Sequence, residues 1–171
     1  MPTAIQAALI ILVSAAAWSD LRTRRIPNWI TVSGALIGMG LHIYYAGISG
    51  AIQSLAGAAL GLAIFLGLYT AGGMGAGDVK LFGAVGAFAG PQSLLLVFVF
   101  TGLLGGIAGV ALAFNRGRLQ QTLERTREIF IDMGRLRWQQ LRATADAPNA
   151  VRLPYGAVIA GGTLISLFVI R

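Results

Sequence analysis

The sequence predicts an all-α integral membrane protein with six transmembrane helices and a cytoplasmic amphipathic helical segment, and three observations carry that prediction. Of the 171 residues, 56% are hydrophobic and only 11% are charged, which is too apolar for a soluble domain of this size. The apolar residues fall into six runs separated by charged or Gly/Pro-rich breaks. The thirteen Lys and Arg residues gather in alternate breaks, as expected where positive loops stay on the cytoplasmic side. The net charge of +7 therefore points to a lipid bilayer rather than to nucleic acid as partner. The whole chain, 1–171, reads as a single transmembrane domain.

The first helix is expected at about 3–19. Its apolar run followed by Ala15-Ala16-Ala17 imitates a cleavable signal, but no basic segment precedes it, and Arg22, Arg24 and Arg25 follow it. That order favours a retained helix with its N-terminus outside. Further helices are expected at about 29–46, 51–71, 79–90, 92–114 and 154–170. Alternate crossings put the loops at 20–28, 72–78 and 115–153 in the cytoplasm and both termini outside, so that Arg171 is the one basic residue on the outer side. Trp18, Trp29, Tyr69 and Tyr155 then lie near the inner interface, and Tyr44 and Tyr45 near the outer one.

Glycines four apart, at Gly34/Gly38, Gly57/Gly61, Gly86/Gly90, Gly102/Gly106 and Gly105/Gly109, read as devices for close helix packing. From Arg116 to Asp146, seven Arg face Glu124, Glu128, Asp132 and Asp146. Leu119, Leu123, Phe130, Met133, Leu136 and Leu141 recur there near helical spacing, as in an amphipathic helix on the inner leaflet. Arg127, Arg125 and Arg135 stand three residues from the three acids Glu124, Glu128 and Asp132, so that row reads as a salt-bridged face rather than a metal site.

With no cysteine there is no disulfide, thiol nucleophile or Cys-ligated zinc, and the single His42 builds no histidine site; no metal or cofactor is called for. His42 reads as a packed, hydrogen-bonded residue. Any chemistry falls to carboxylates. Of the six acids, only Asp20 and Asp78 adjoin membrane helices, both on the expected cytoplasmic side. If their helices pack together, they form a pair able to activate water, one as general base and the other as general acid. Asp78 opens a helix, where the backbone dipole favours a carboxylate, and Asp20 closes one, which makes Asp78 the readier base.

Residues 79–90 span only about 18 Å at 1.5 Å per residue, short of a ~30 Å hydrocarbon core, so Asp78 is expected in a recess below the inner surface. Gly72 to Gly77 would line it as irregular backbone enclosed by protein. A purely structural account stands beside this one: Asp78 capping its helix, and Asp20 paired with Arg22 or Arg24. The glycines are not a phosphate loop, because position 80 is Lys, no strand precedes them and no Gly-Lys-Ser/Thr ending follows.

At these residues the chain resembles the type IV prepilin peptidases, membrane aspartic proteases with one catalytic Asp after the opening helix and a second in a Gly-x-Gly-Asp motif. The matching residues are Asp20 and Gly75-Ala76-Gly77-Asp78, with Arg25-Ile26-Pro27-Asn28, Val79-Lys80-Leu81 and Pro154-Tyr155-Gly156 in consistent order. The resemblance implies that Asp20 and Asp78 hydrolyse the bond after a glycine that ends the basic leader of a prepilin or pilin-like protein, at the cytoplasmic face of the bacterial inner membrane. Large members also N-methylate the product and carry a cysteine-paired insertion. This chain has no cysteine and a short first connection, and looks like the peptidase-only form found with tight-adherence (Flp-type) pili.

Lys80 reads first as a positive-inside anchor, with contact to substrate or to the aspartates as the alternative, and Pro27 and Asn28 as the turn into the second helix. Two other functions compete. A presenilin-like intramembrane protease would carry Tyr before its first Asp, where this chain has Ser19. A transporter or assembly scaffold would carry acids near the bilayer midplane, often in related repeats.

Overall fold

A computed structural model describes residues 1–70, 74–115 and 154–169. Among these the chain is all helical: α1 (Thr3–Thr23), α2 (Asn28–Thr70), α3 (Ala76–Asn115) and α4 (Tyr155–Val169). The helices α1, α2 and α3 are long and apolar enough to cross a membrane, and α4 is a shorter apolar helix. The amphipathic segment expected at 115–153 lies, beyond Asn115, outside the described residues.

Two of these helices double back. Gly47 in α2 and Gly90 in α3 have left-handed φ values of 59° and 71°, which end a helix without cost to a residue that has no Cβ. Residues eight apart in a straight helix stand about 12 Å apart along its axis. A Cβ on Gly50 would nevertheless overlap the carbonyl oxygen of His42, so the chain reverses at Gly47. Phe82 and Phe98, with ring centroids 6.3 Å apart, show the same reversal at Gly90, where Pro91 has no N–H to continue the helix. The expected loops at 47–50 and Pro91 are thus single-glycine reversals.

The arm 76–89 is the centre of the molecule. Residues 81–88 are all buried, the pattern of a helix covered on every side. Arm 48–70 reaches it at backbone distance: a Cβ on Gly57 or Gly86 would overlap the other's carbonyl oxygen, and one on Gly61 would stand 2.7 Å from that of Phe82. Phe65 stacks on Phe82 at 3.8 Å, and Phe98 meets both rings edge-on. The carbonyls released at the Gly90 break are capped from α2, where Ser54 Oγ donates to Ala87 O at 2.8 Å and His42 Nε2 to Phe88 O at 2.9 Å. His42 is therefore the hydrogen-bonded packing residue that its sequence position suggested.

Gly34 and Gly38 seat Leu12 and Phe88, and Gly105 meets Val158. Gly102 and Gly106 do not pack as expected among the described residues: a side chain on either would find nothing of them within 4 Å, and both lie beside the exposed Leu103, Ile107 and Val110. Packing fixes only one face of that arm, and the glycine pair lies on the other.

Candidate functional site

Asp20 arrives at the site on the inner stripe of α1. Ile5, Leu9, Leu12, Val13 and Ala16 are its buried residues, and the same helical spacing carries on to Asp20, 6% exposed. The helix continues one turn past Asp20 to Thr23, beyond the expected end at 19, and stops at Arg24, whose φ of 50° is left-handed. Ser19 Oγ at 2.9 Å and Thr23 Oγ1 at 3.2 Å both donate to the carbonyl of Arg25, tying the turn back to α1. Pro27 precedes α2, and its carbonyl accepts the N–H of Ile30 at 3.1 Å.

Asp78 stands in the first turn of α3, which begins at Ala76 rather than 79. Gly75 is the N-cap: its carbonyl accepts Asp78 N–H at 3.1 Å, and its own N–H donates to Asp78 Oδ2 at 3.1 Å. This is half of a capping box, with the acid reaching back from the third helical position. Helix capping and a chemical role are thus compatible for Asp78, since the cap uses one oxygen of a half-buried carboxylate. Gly77 has a steric task, because a Cβ there would lie 3.3 Å from Cβ of Ile26. Its bare backbone lets the turn after Asp20 pack onto the turn that holds Asp78.

The two acids lie at the same end of the molecule: the turn after Asp20 packs through Ile26 onto Gly77 beside Asp78, and the charge of Asp20 reaches Asp78. Asp20 does not depend on Arg22 for a partner. The Arg22 guanidinium lies 4.4 Å over the ring of Trp18, while Asp20 Oδ2 accepts the N–H of Gly156 at 2.8 Å. Gly156 is in the first turn of α4, whose N-cap is Pro154.

The division of labour read from helix ends is therefore corrected. Asp20 does close α1, but its side chain faces the N-terminus of α4, so each carboxylate sits at the positive end of a helix and accepts a backbone N–H there. The dipoles give no ground for naming one of them the readier base.

In the sequence Tyr155 reads as an interface aromatic, and Gly156 carries no task beyond its place in the resemblance. Gly156 has one: a Cβ would stand 2.9 Å from both Cβ and Oδ2 of Asp20. Tyr155 is half-buried within electrostatic reach of Asp78. Lys80 Nζ donates to Asn28 Oδ1 at 2.9 Å, joining the starts of α3 and α2.

A family model described as the type IV leader peptidase family matches residues 7–110. The chain is 33% identical over 124 residues to a prepilin leader peptidase/N-methyltransferase of Bacillus subtilis (strain 168), covering 69% of this chain and 46% of that protein. A protein of the same description from Myxococcus xanthus (strain DK1622) is 30% identical over 127 residues, covering 70% of this chain and 38% of that protein. The chain thus matches less than half the length of these two relatives. No solved structure matches it. The family match takes in Asp20, the glycine-rich turn and Asp78 together: the chain belongs to the type IV leader peptidase family.

Proposed function

We propose that this protein is a membrane-embedded aspartic endopeptidase that removes the basic leader of a prepilin or prepilin-like protein after a glycine. Asp20 and Asp78 act on one water. One carboxylate takes its proton as the oxygen attacks the scissile carbonyl, and the other acid protonates the departing amine. Each is held by a backbone N–H at a helix N-terminus, a fixed donor that needs no reorganisation during the reaction.

The observation that carries this reading is that two different helices bring Asp20 and Asp78 to one end of the bundle, where Ile26 of the turn after Asp20 packs on Gly77 beside Asp78. Family membership supplies the reaction class, and the relatives' printed names supply the prepilin leader. The direct passage from Thr23 to Asn28 leaves no insertion between the first two helices, which favours cleavage without N-methylation, as in a tight-adherence pilus system.

The six helical arms would each cross the bilayer, the site facing the cytoplasm and both termini outside. Arg22, Arg24, Arg25 and Lys80 all lie at the site's end of the chain's reversals, in keeping with positive-inside retention. Arm 76–89 spans about 21 Å, so an outer end at the far interface leaves Asp78 recessed in a ~30 Å core.

The test is co-expression with candidate prepilins and mapping of the new N-terminus by mass spectrometry, repeated with Asp20→Asn and Asp78→Asn. Cleavage after glycine is expected from the parent chain and neither variant. Full cleavage by either variant at normal membrane level would rule out the two-aspartate mechanism.

A further inference from the structure

Asp20 and Asp78 lie on different helices, and a water held between them is useful only if their separation is held too. Asp78 is in the first turn of α3, and the turn after Asp20 runs through 24–27 into α2 at Asn28. That turn is tied back to α1 by the Ser19 and Thr23 hydroxyls on Arg25 O, so a grip on Asn28 is also a grip on the segment carrying Asp20. Lys80 supplies it, donating to Asn28 Oδ1 at 2.9 Å across 52 positions of sequence. Ile26 against the bare backbone of Gly77 is a second contact in the same joint.

Lys80 is not spent in the way an interfacial anchor would be. Arg22 plays that part, its guanidinium spread over the exposed Trp18. The Lys80 ammonium instead holds a neutral amide in a charge-assisted bond, which keeps geometry without cancelling its charge. Nor does a positive leader, the substrate class proposed above, gain from contact with an ammonium.

We propose that Lys80 is a positioning residue: through Asn28 it fixes the first turn of α3, and with it Asp78, against the turn that follows Asp20. Its role in cleavage rests on the proposed peptidase function, whereas the geometric tie does not.

The experiment therefore has two arms. In the first, full-length protein in lipid nanodiscs cleaves a purified prepilin with a basic leader, a glycine and an apolar helix. Lys80→Met and Asn28→Ala are each expected to lower kcat about tenfold with KM changed less than about twofold. The double variant should be no slower than either single one, and Lys80→Arg should recover most of the turnover.

In the second arm, spin labels are placed at Leu21→Cys and Ala76→Cys, exposed positions in a chain free of native cysteine. The distance distribution should be narrow in the parent, broaden in Lys80→Met and Asn28→Ala, and narrow again in Lys80→Arg. An unbroadened distribution overturns the proposal even if turnover falls, because Lys80 would then act on substrate. Unchanged turnover in Lys80→Met overturns it as well. A parent chain that cleaves no prepilin refutes the peptidase reading, and the distance arm still decides the tie.

Discussion

The carboxylate of Asp20 accepts the backbone N–H of Gly156 at 2.8 Å, so an acid on the first helix caps the last. The bond spans 136 positions of sequence and places a charged group where the α4 dipole and an otherwise orphaned N–H both favour it. A half-buried partner, Asp78, is held in the same manner at the start of α3.

Gly156→Ala should disable the site while leaving the bundle assembled. The new Cβ would stand 2.9 Å from Asp20 Cβ, and the carboxylate must move away to admit it. A displacement of about 1 Å is worth roughly a hundredfold in rate. Prepilin cleavage should fall by about that factor, while Gly106→Ala, with none of the described residues within 4 Å of the new Cβ, should keep the parent rate.

Asp78→Asn and Asp78→Ala should separate chemistry from capping. Both are expected to abolish cleavage. Asn retains an acceptor for Gly75 N–H, whereas Ala leaves the α3 N-terminus uncapped and should cost about 1 kcal/mol more in unfolding free energy. Denaturation in detergent compares the two, and equal stabilities would show that the Gly75 bond contributes nothing.

Gly86→Val should unfold the centre of the bundle, since any side chain there overlaps the backbone of Gly57 and helices α2 and α3 have nowhere to retreat. A loss of more than about 3 kcal/mol is expected. Gly67→Val, where a Cβ meets none of the described residues within 4 Å, should change stability by less than about 1 kcal/mol. Thermal melts of the two variants side by side check the contrast.

Thr101→Val should leave stability unchanged or raise it by about 1 kcal/mol. Among the described residues the Thr101 hydroxyl is buried at the contact with Gly162 and has no hydrogen-bond partner. Valine keeps its shape and removes the unsatisfied group. A clear drop in melting temperature would reveal a partner for that hydroxyl.

The helices were legible from the sequence because each is an apolar run closed by glycine, proline or charge. Asp20 and Asp78 stood out for a related reason: they are the two acids adjoining such runs. Ser54 and the partner of His42 were less legible, because the carbonyls these side chains cap become free only when α3 breaks at Gly90 and α2 folds beside it. Gly77 could be read as flexible; that it makes room for Ile26 depends on a contact far along the chain.

By itself the sequence determined an all-helical chain of membrane-spanning character, the residues that break its helices, and two carboxylates at one end. Only the tertiary structure decided which face of each helix turns inward. Ile5 and Ile11 lie on the same helix and are 1% and 70% exposed, yet nothing in their chemistry distinguishes them. A bilayer accepts apolar side chains as readily as a protein core does, so the periodicity that marks an inner face in a soluble helix is weak here. The orientation of Asp20 had the same source. Its own helix placed it at a negative end, and the packing of α1 against α4 turned it toward a positive one.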